Sequence, residues 1–237
     1  MYKKLKEECL RENLRLPELG LVIFTFGNVS CFDRARGVMA IKPSGVDYGR
    51  MRAEDIVVID VATGKVVEGR LRPSSDTPTH LELYRAFPEL GGVVHTHSPE
   101  AVAWAQAGRS IPVYGTTHAD HWAGDIPCTP CLTEEQIRGD YEAETGKAIV
   151  AEFARLELKP AEVGMVLVAG HGPFTWGKNA AEAVYRARVL EEVAKMARLT
   201  EAVRPGAPRL AEALIRKHYE RKHGAGAYYG QKSGGGK

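Results

Sequence analysis

A chain of 237 residues with 44% apolar and 26% charged side chains has the make-up of a soluble globular protein able to bury one substantial core. Its net charge of +2, with basic and acidic residues interspersed as in KKLKEE, excludes a nucleic-acid-binding surface built on bulk charge. No apolar run reaches the length of a membrane span and MYKKLKEECLREN lacks a secretory signal's apolar segment, so the expectation is a cytoplasmic protein that engages neither membrane nor nucleic acid.

In chain order, residues 2–15 carry loosely helical spacing, with Leu5 and Cys9 four apart and Leu10 and Leu14 four apart; Pro17 is expected to end the segment. LVIFTF (21–26) suits a buried strand, with Gly27-Asn28 turning the chain after it. VMAIK (38–42) and DIVVID (55–60) read as further strands, and ATGK as a hairpin turn into VVEG. Thr77 is the predicted N-cap, with Pro78 as first helical residue, of a helix reaching about Phe87. GGVVHTHS (91–98) is a strand ending in polar residues, followed by an alanine-rich helix. MVLVAG (165–170) is a buried strand running directly into His171-Gly172-Pro173. Helices are predicted over 179–199 and 208–222. The glycine-rich residues 232–237 are expected to be disordered, leaving 1–231 as a single domain. Strands alternating with helices predict an α/β domain with helical layers on both faces of a sheet; the pattern does not distinguish parallel from mixed strand order.

The cysteines are Cys9, Cys31, Cys128 and Cys131. The last two form a C-x-x-C with no second pair and with Pro130 between them, which reads as reduced thiols in a loop.

His95 and His97 are two apart on a strand, so their side chains project to the same face and can reach one ion. His171 follows a separate buried strand between two glycines, and Asp76 lies before a helix. Three imidazoles and a carboxylate suit Zn²⁺, with Mn²⁺ or another divalent cation as the alternative. Each histidine taken singly is more often a satisfied polar group at a strand end; their recurrence in similar settings favours a metal. Ser74-Ser75 precede a helix N-terminus, which favours anions, and Ser44-Gly45 offers a hydroxyl and an unhindered amide with Lys42 nearby. Gly27-Asn28 is a third such turn. Any one of them alone is ordinary loop chemistry.

TFGNVS (25–30), IKPSGVDY (41–48), PSSDTPTH (73–80), VVHTHS (93–98), GTTHAD (115–120), GHGPFTWG (170–177) and KHYERKHGAGAYYGQ (217–231) together resemble the class II aldolase and epimerase family, in order and across almost the whole chain. SSDTPTH, GTTHAD and the double tyrosine are the segments that resemble its epimerases. The resemblance implies a central, largely antiparallel β-sheet between helical layers, and a homotetramer with active sites between neighbouring subunits. It assigns Asp76, His95, His97 and His171 to the metal. To a sugar-phosphate substrate it assigns Gly27, Asn28, Ser44, Gly45, Ser74 and Ser75. Asp120 and Tyr229 become the acid/base pair, with Thr116 and His218 in support. HWAGDIPCTPC after Asp120 and the lysine-glycine tail depart from the family pattern.

The implied reaction interconverts L-ribulose 5-phosphate and D-xylulose 5-phosphate. Carbon 4 is not adjacent to the ketone, so its hydrogen is not acidic; the bond to carbon 3 breaks instead, in a retro-aldol step with a metal-stabilised enediolate. Inversion then needs proton transfer on both faces of the aldehyde, hence two groups. Three rivals share the resemblance: a fuculose or rhamnulose 1-phosphate aldolase, a phosphosugar dehydratase, and a non-catalytic adducin-like interaction module. The fuculose type carries a glutamate near the place of Asp76, so the shorter aspartate favours the epimerase. The retained histidines argue against the interaction module.

Overall fold

Along the short strands, alternate side chains enter two different cores. In β2 (Val38–Ile41), Met39 and Ile41 pack on one side and Val38 and Ala40 on the other. β3 (Val57–Asp60) repeats this, with Val57 and Ile59 opposed to Val58. A strand buried on both faces reads as an unbroken apolar run, and each face then requires helices. The computed structural model describes residues 1–228, so Tyr229 and the expected tail at 232–237 lie outside the described residues.

The sheet is completed by β1 (Asn28–Asp33), β4 (Val66–Glu68), β5 (Gly92–His95), β6 (Met165–Val168) and β7 (Gly172–Gly177), in the order β4-β3-β2-β1-β5-β7-β6. Every neighbouring pair is antiparallel, as the family resemblance implied. One face is covered by α2 (Thr77–Ala86) and α6 (Tyr141–Arg155), where Leu83, Tyr84, Ile149 and Phe153 meet Val93, Phe174 and Trp176. Truncating one of these aromatics to alanine would cost about 3–5 kcal/mol. α1 (Lys3–Glu18) and α7 (Ala180–Val203) cover the other face through Cys9, Leu16, Ala183 and Val184 against Val29 and Val94. α3 (Pro99–Gln106) beds on α7, with Trp104 Nε1 donating to Ala194 O. α5 (Glu134–Arg138) leads into α6, and α4 (Thr116–Ala119) and α8 (Glu212–His223) meet in a small satellite cluster around Ala119 and Ile215. No described helix is long and apolar enough to cross a membrane.

Several boundaries differ from expectation. LVIFTF is no strand: Phe24 turns with φ +52°, and Ile23, Phe24 and Phe26 are 64, 77 and 51% exposed. The strand is instead NVSCFD, which starts at the residue expected to turn. Pro17 lies inside the last turn of α1, where Leu19 N donates to Arg15 O and Leu21 N to Leu16 O, so its missing N–H leaves the end closed. Asp76 rather than Thr77 occupies the N-cap of α2. The strand expected over 91–98 stops at His95, so His97 stands beyond the ladder. GHGPFTWG contributes a full strand, and α4, α5 and α6 fill a region without a sequence assignment. All four cysteines are free thiols, with only Cys131 exposed.

Candidate active site

Antiparallel pairing brings three strand ends to one rim of the sheet. β1 begins at Asn28, directly opposite His95 at the end of β5, and His95 in turn faces Phe174 of β7. β6 and β7 are joined by the turn Ala169-Gly170-His171, with His171 N donating to Val168 O, so His171 arrives at the same rim. Gly27 permits the closest approach: its φ is +74°, and a Cβ there would lie 2.7 Å from Val22 Cγ1 and 3.0 Å from His95 O.

The ring centroid of His95 lies 4.9 Å from that of His97 and 4.7 Å from that of His171, and His97 and His171 are 5.2 Å apart. One nitrogen from each ring falls within 4.8 Å of the others. His95 stacks on Phe174 at 4.2 Å, and its Nδ1 sits 3.0 Å from Pro173 O. With Nδ1–H donating there, Nε2 carries the lone pair, and it faces His97 Nε2 at 3.0 Å. Converging lone pairs at that spacing fit a cation, since a tetrahedral ion with bonds of about 2.0–2.1 Å sets its ligands roughly 3.3 Å apart. Burial, His95 and His97 push the His171 pKa down to about 4 against the pull of Asp76. Burial and His95 likewise lower that of His97. Neutral imidazoles are the form a metal requires.

Asp76 shares this cleft but is not part of the tight nitrogen cluster. Its carboxylate accepts from Asn28 Nδ2 at 2.6 Å and lies 3.5 Å from Ser74 Oγ. Burial raises its pKa, yet His95, His80, Asn28 and His171 outweigh that and hold it below the ordinary carboxylate range.

The cleft, about 450 Å³, is lined by every residue assigned to substrate: Gly27, Asn28, Ser44, Gly45, Ser74 and Ser75. Ser44 N donates to Arg72 O and Ser74 N to Lys42 O, which zips the two serine loops together. Ser74 and Ser75 stand just ahead of the α2 N-terminus, whose partial positive charge favours an anion. Lys42 adds a cation, its Nζ donating to Thr25 O at 3.0 Å and lying 4.9 Å from the Tyr48 ring centre. Asn28 Oδ1 is buried without a partner among the described residues, leaving an acceptor for a ligand hydroxyl.

Asp120 is elsewhere. It closes α4, which Thr116 begins, and is absent from the cleft lining. Its carboxylate accepts from Arg221 Nε at 3.0 Å and Arg221 Nη2 at 2.7 Å, with His218 Nδ1 at 3.0 Å and Lys222 Nζ at 3.6 Å. Burial raises its pKa, but Arg221, His218 and Lys222 prevail and keep it ionised below the ordinary range. Within one chain the ion and phosphate candidates are brought together and Asp120 is not. Tyr229 is outside the described residues.

Two cleft residues were missed from sequence, Tyr141 and Glu142 at the start of α6. The signals were present: a Thr133–Gln136 capping box, then Asp140, whose side chain accepts from Ala143 N, ahead of Ile149 and Phe153 four apart.

Residues 7–198 match the family described as the class II aldolase and adducin N-terminal domain. The chain is 55% identical over 230 residues to L-ribulose-5-phosphate 4-epimerase UlaF from Salmonella paratyphi A and from Salmonella typhi, covering 97% of this chain and all of each relative. Among solved structures it is similar to an L-fuculose 1-phosphate aldolase, with 27% identity, a TM-score of 0.75, and 92% of this chain and 95% of that one covered. It shares its fold with the L-fuculose-1-phosphate aldolase of Thermus thermophilus at 23% identity and a TM-score of 0.66, over 87% and 99% of the two chains. The chain belongs to the class II aldolase and adducin N-terminal domain family.

Proposed function

We propose that the chain is a metal-dependent isomerase, an L-ribulose-5-phosphate 4-epimerase, converting its substrate to D-xylulose 5-phosphate by cleavage between carbons 3 and 4 and re-addition to the opposite face of the aldehyde. The observation that carries this reading is one cleft holding converging imidazoles and the serine loops, in a chain 55% identical over its length to curated epimerases. The two ends of a ketose phosphate make matching demands, metal ligands at one and anion donors at the other.

Asp76, His95, His97 and His171 would hold the ion, with Zn²⁺ favoured by the donor set and Mn²⁺ as the alternative. A divalent cation held there supplies Lewis-acid stabilisation of charge at the ketone end, worth several kcal/mol. Ser44, Gly45, Ser74 and Ser75, with Gly27 and Asn28, bind the phosphate through hydroxyl and N–H donors, and Lys42 adds positive charge. One member of the Asp120–Tyr229 pair removes the carbon-4 hydroxyl proton as the bond breaks. The other returns a proton to that oxygen once the aldehyde has rotated. The separation of Asp120 from the cleft supports a homotetramer in which a neighbouring subunit carries it there, and a cytoplasmic location suits a sugar-phosphate substrate.

Incubation of the metal-loaded protein with L-ribulose 5-phosphate tests the reading: D-xylulose 5-phosphate should accumulate. The likeness to an L-fuculose 1-phosphate aldolase supports a second reading, in which dihydroxyacetone and glycolaldehyde phosphate are released instead.

A further inference from the structure

The imidazoles of the cleft are braced differently. His95 ends a strand, stacks on Phe174 and has a backbone carbonyl at its outer nitrogen. His171 lies in the turn between β6 and β7, outside the strand ladder, so sheet pairing does not fix its ring. What faces its Nδ1 is a phenol: Tyr141 Oη lies 3.3 Å from His171 Nδ1, with the rings 6.0 Å apart and tilted by 36°. Resting on the metal reading above, we propose that Tyr141 is a positioning residue for the metal centre: its phenol oxygen accepts a hydrogen bond from His171 Nδ1–H and thereby turns the Nε2 lone pair of that imidazole toward His95 and His97.

The phenol is held there by a clasp between two helices. Tyr141 is the first residue of α6, and Thr79 Oγ1 of α2 donates to Glu142 O at 2.6 Å. One turn further along α6, a Cβ on Gly146 would stand 2.6 Å from Glu82 Cβ and 3.1 Å from Thr79 O, so only glycine allows this approach. α2 carries Asp76 at its own N-terminus. One helix pair therefore sets both a carboxylate and a phenol against the imidazoles.

The chemistry requires such a partner. A neutral imidazole has one N–H and one lone pair, and an acceptor at Nδ1 selects the tautomer whose Nε2 can bind an ion. It also restrains ring rotation and raises ligand basicity. Removing an outer partner of this kind typically weakens metal binding or activity about 10–100-fold. The pairing is hard to read from sequence, because Tyr141 and His171 are 30 residues apart and meet through the packing of α6 on α2 and on β6.

The test compares the full-length wild type, Tyr141→Phe, and Tyr114→Phe, whose phenol donates to Glu201 instead. Zn²⁺ dissociation constants come from competition with a chromogenic chelator. Tyr141→Phe should bind Zn²⁺ about 10–100-fold more weakly. Its metal-free melting temperature and the affinity of Tyr114→Phe should stay unchanged. Epimerase activity lost at stoichiometric Zn²⁺ should return when Zn²⁺ is in excess, because affinity and not chemistry was removed. Nitrogen NMR of His171 in the metal-loaded wild type should show the proton on Nδ1, a readout independent of any variant. Wild-type affinity in Tyr141→Phe, a turnover deficit persisting at saturating Zn²⁺, or a proton on His171 Nε2 would overturn the proposal alone. A wild type that binds no Zn²⁺ would sink the metal reading and this one with it.

Discussion

The cleft and the Asp120 cluster solve opposite electrostatic problems. In the cleft, His95, His97 and His171 gather one ring nitrogen each within 4.8 Å of one another beside the Asp76 carboxylate. Outside it, Asp120 is a carboxylate already answered by protein cations, from Arg221 Nε and Nη2 to Lys222. The first arrangement is a set of donors that positive charge would satisfy. The second is satisfied in charge and, among the described residues, stands outside the cleft lining. On the proposed reading, binding and proton transfer are divided between two places on the same chain, and a neighbouring subunit reunites them.

The most severe break of that division is His97→Ala. His97 is exposed and stands beyond the β5 ladder, so its loss should leave the fold intact by circular dichroism while metal content falls to background. Activity should drop by a factor of roughly 1,000 or more, the several kcal/mol a Lewis acid supplies. Asp120→Asn should do the reverse, keeping wild-type Zn²⁺ affinity in the chelator competition while kcat falls about 10²–10⁴-fold. A variant that lost both metal and turnover would erase the distinction between the two regions. Ser44→Ala probes the phosphate end: KM for L-ribulose 5-phosphate should rise about 10–150-fold with kcat nearly unchanged, since a hydrogen bond to a charged group is worth roughly 1.5–3 kcal/mol.

A smaller effect separates the scaffold from the site. His80 is fully buried, its Nδ1 is 2.7 Å from Ser30 Oγ, and burial depresses its pKa from 6.5 to about 3. The unfolded chain takes up that proton first as pH falls, so this part of the stability is intact above about pH 6.5 and is lost on acidification toward pH 3. The slope contributed is at most about 1.4 kcal/mol per pH unit. Urea melts of the metal-free protein between pH 7.5 and 5 should show a shallower decline in His80→Gln, and an identical slope would remove His80 as its source.

Most of the cleft was legible in the sequence because its parts sit at strand ends and turns, where polar side chains after apolar runs are conspicuous. His95 and His97 after GGVV, and His171 after MVLVAG, stand out in this way. The same apolar signal misled at LVIFTF, since a run of that length does not reveal whether a sheet or the molecular surface receives it. α6 went unread because its core face rests on Ile149 and Phe153, with the buried polar Thr145 and Glu152 and the small Gly146 blurring the pattern. Tyr141 therefore had no element to stand on. The grip of Arg221 on Asp120 spans 101 residues, a pairing set by the meeting of α4 with α8 rather than by any local spacing.

Co-expression of His97→Ala and Asp120→Asn chains tests the division most directly. Each variant alone should be nearly inactive. If one chain's cleft works with a neighbour's Asp120, random mixing in a symmetric oligomer restores both halves in about one site in four, and the mixture should regain roughly a quarter of wild-type turnover. A mixed population no more active than its parents would contradict this.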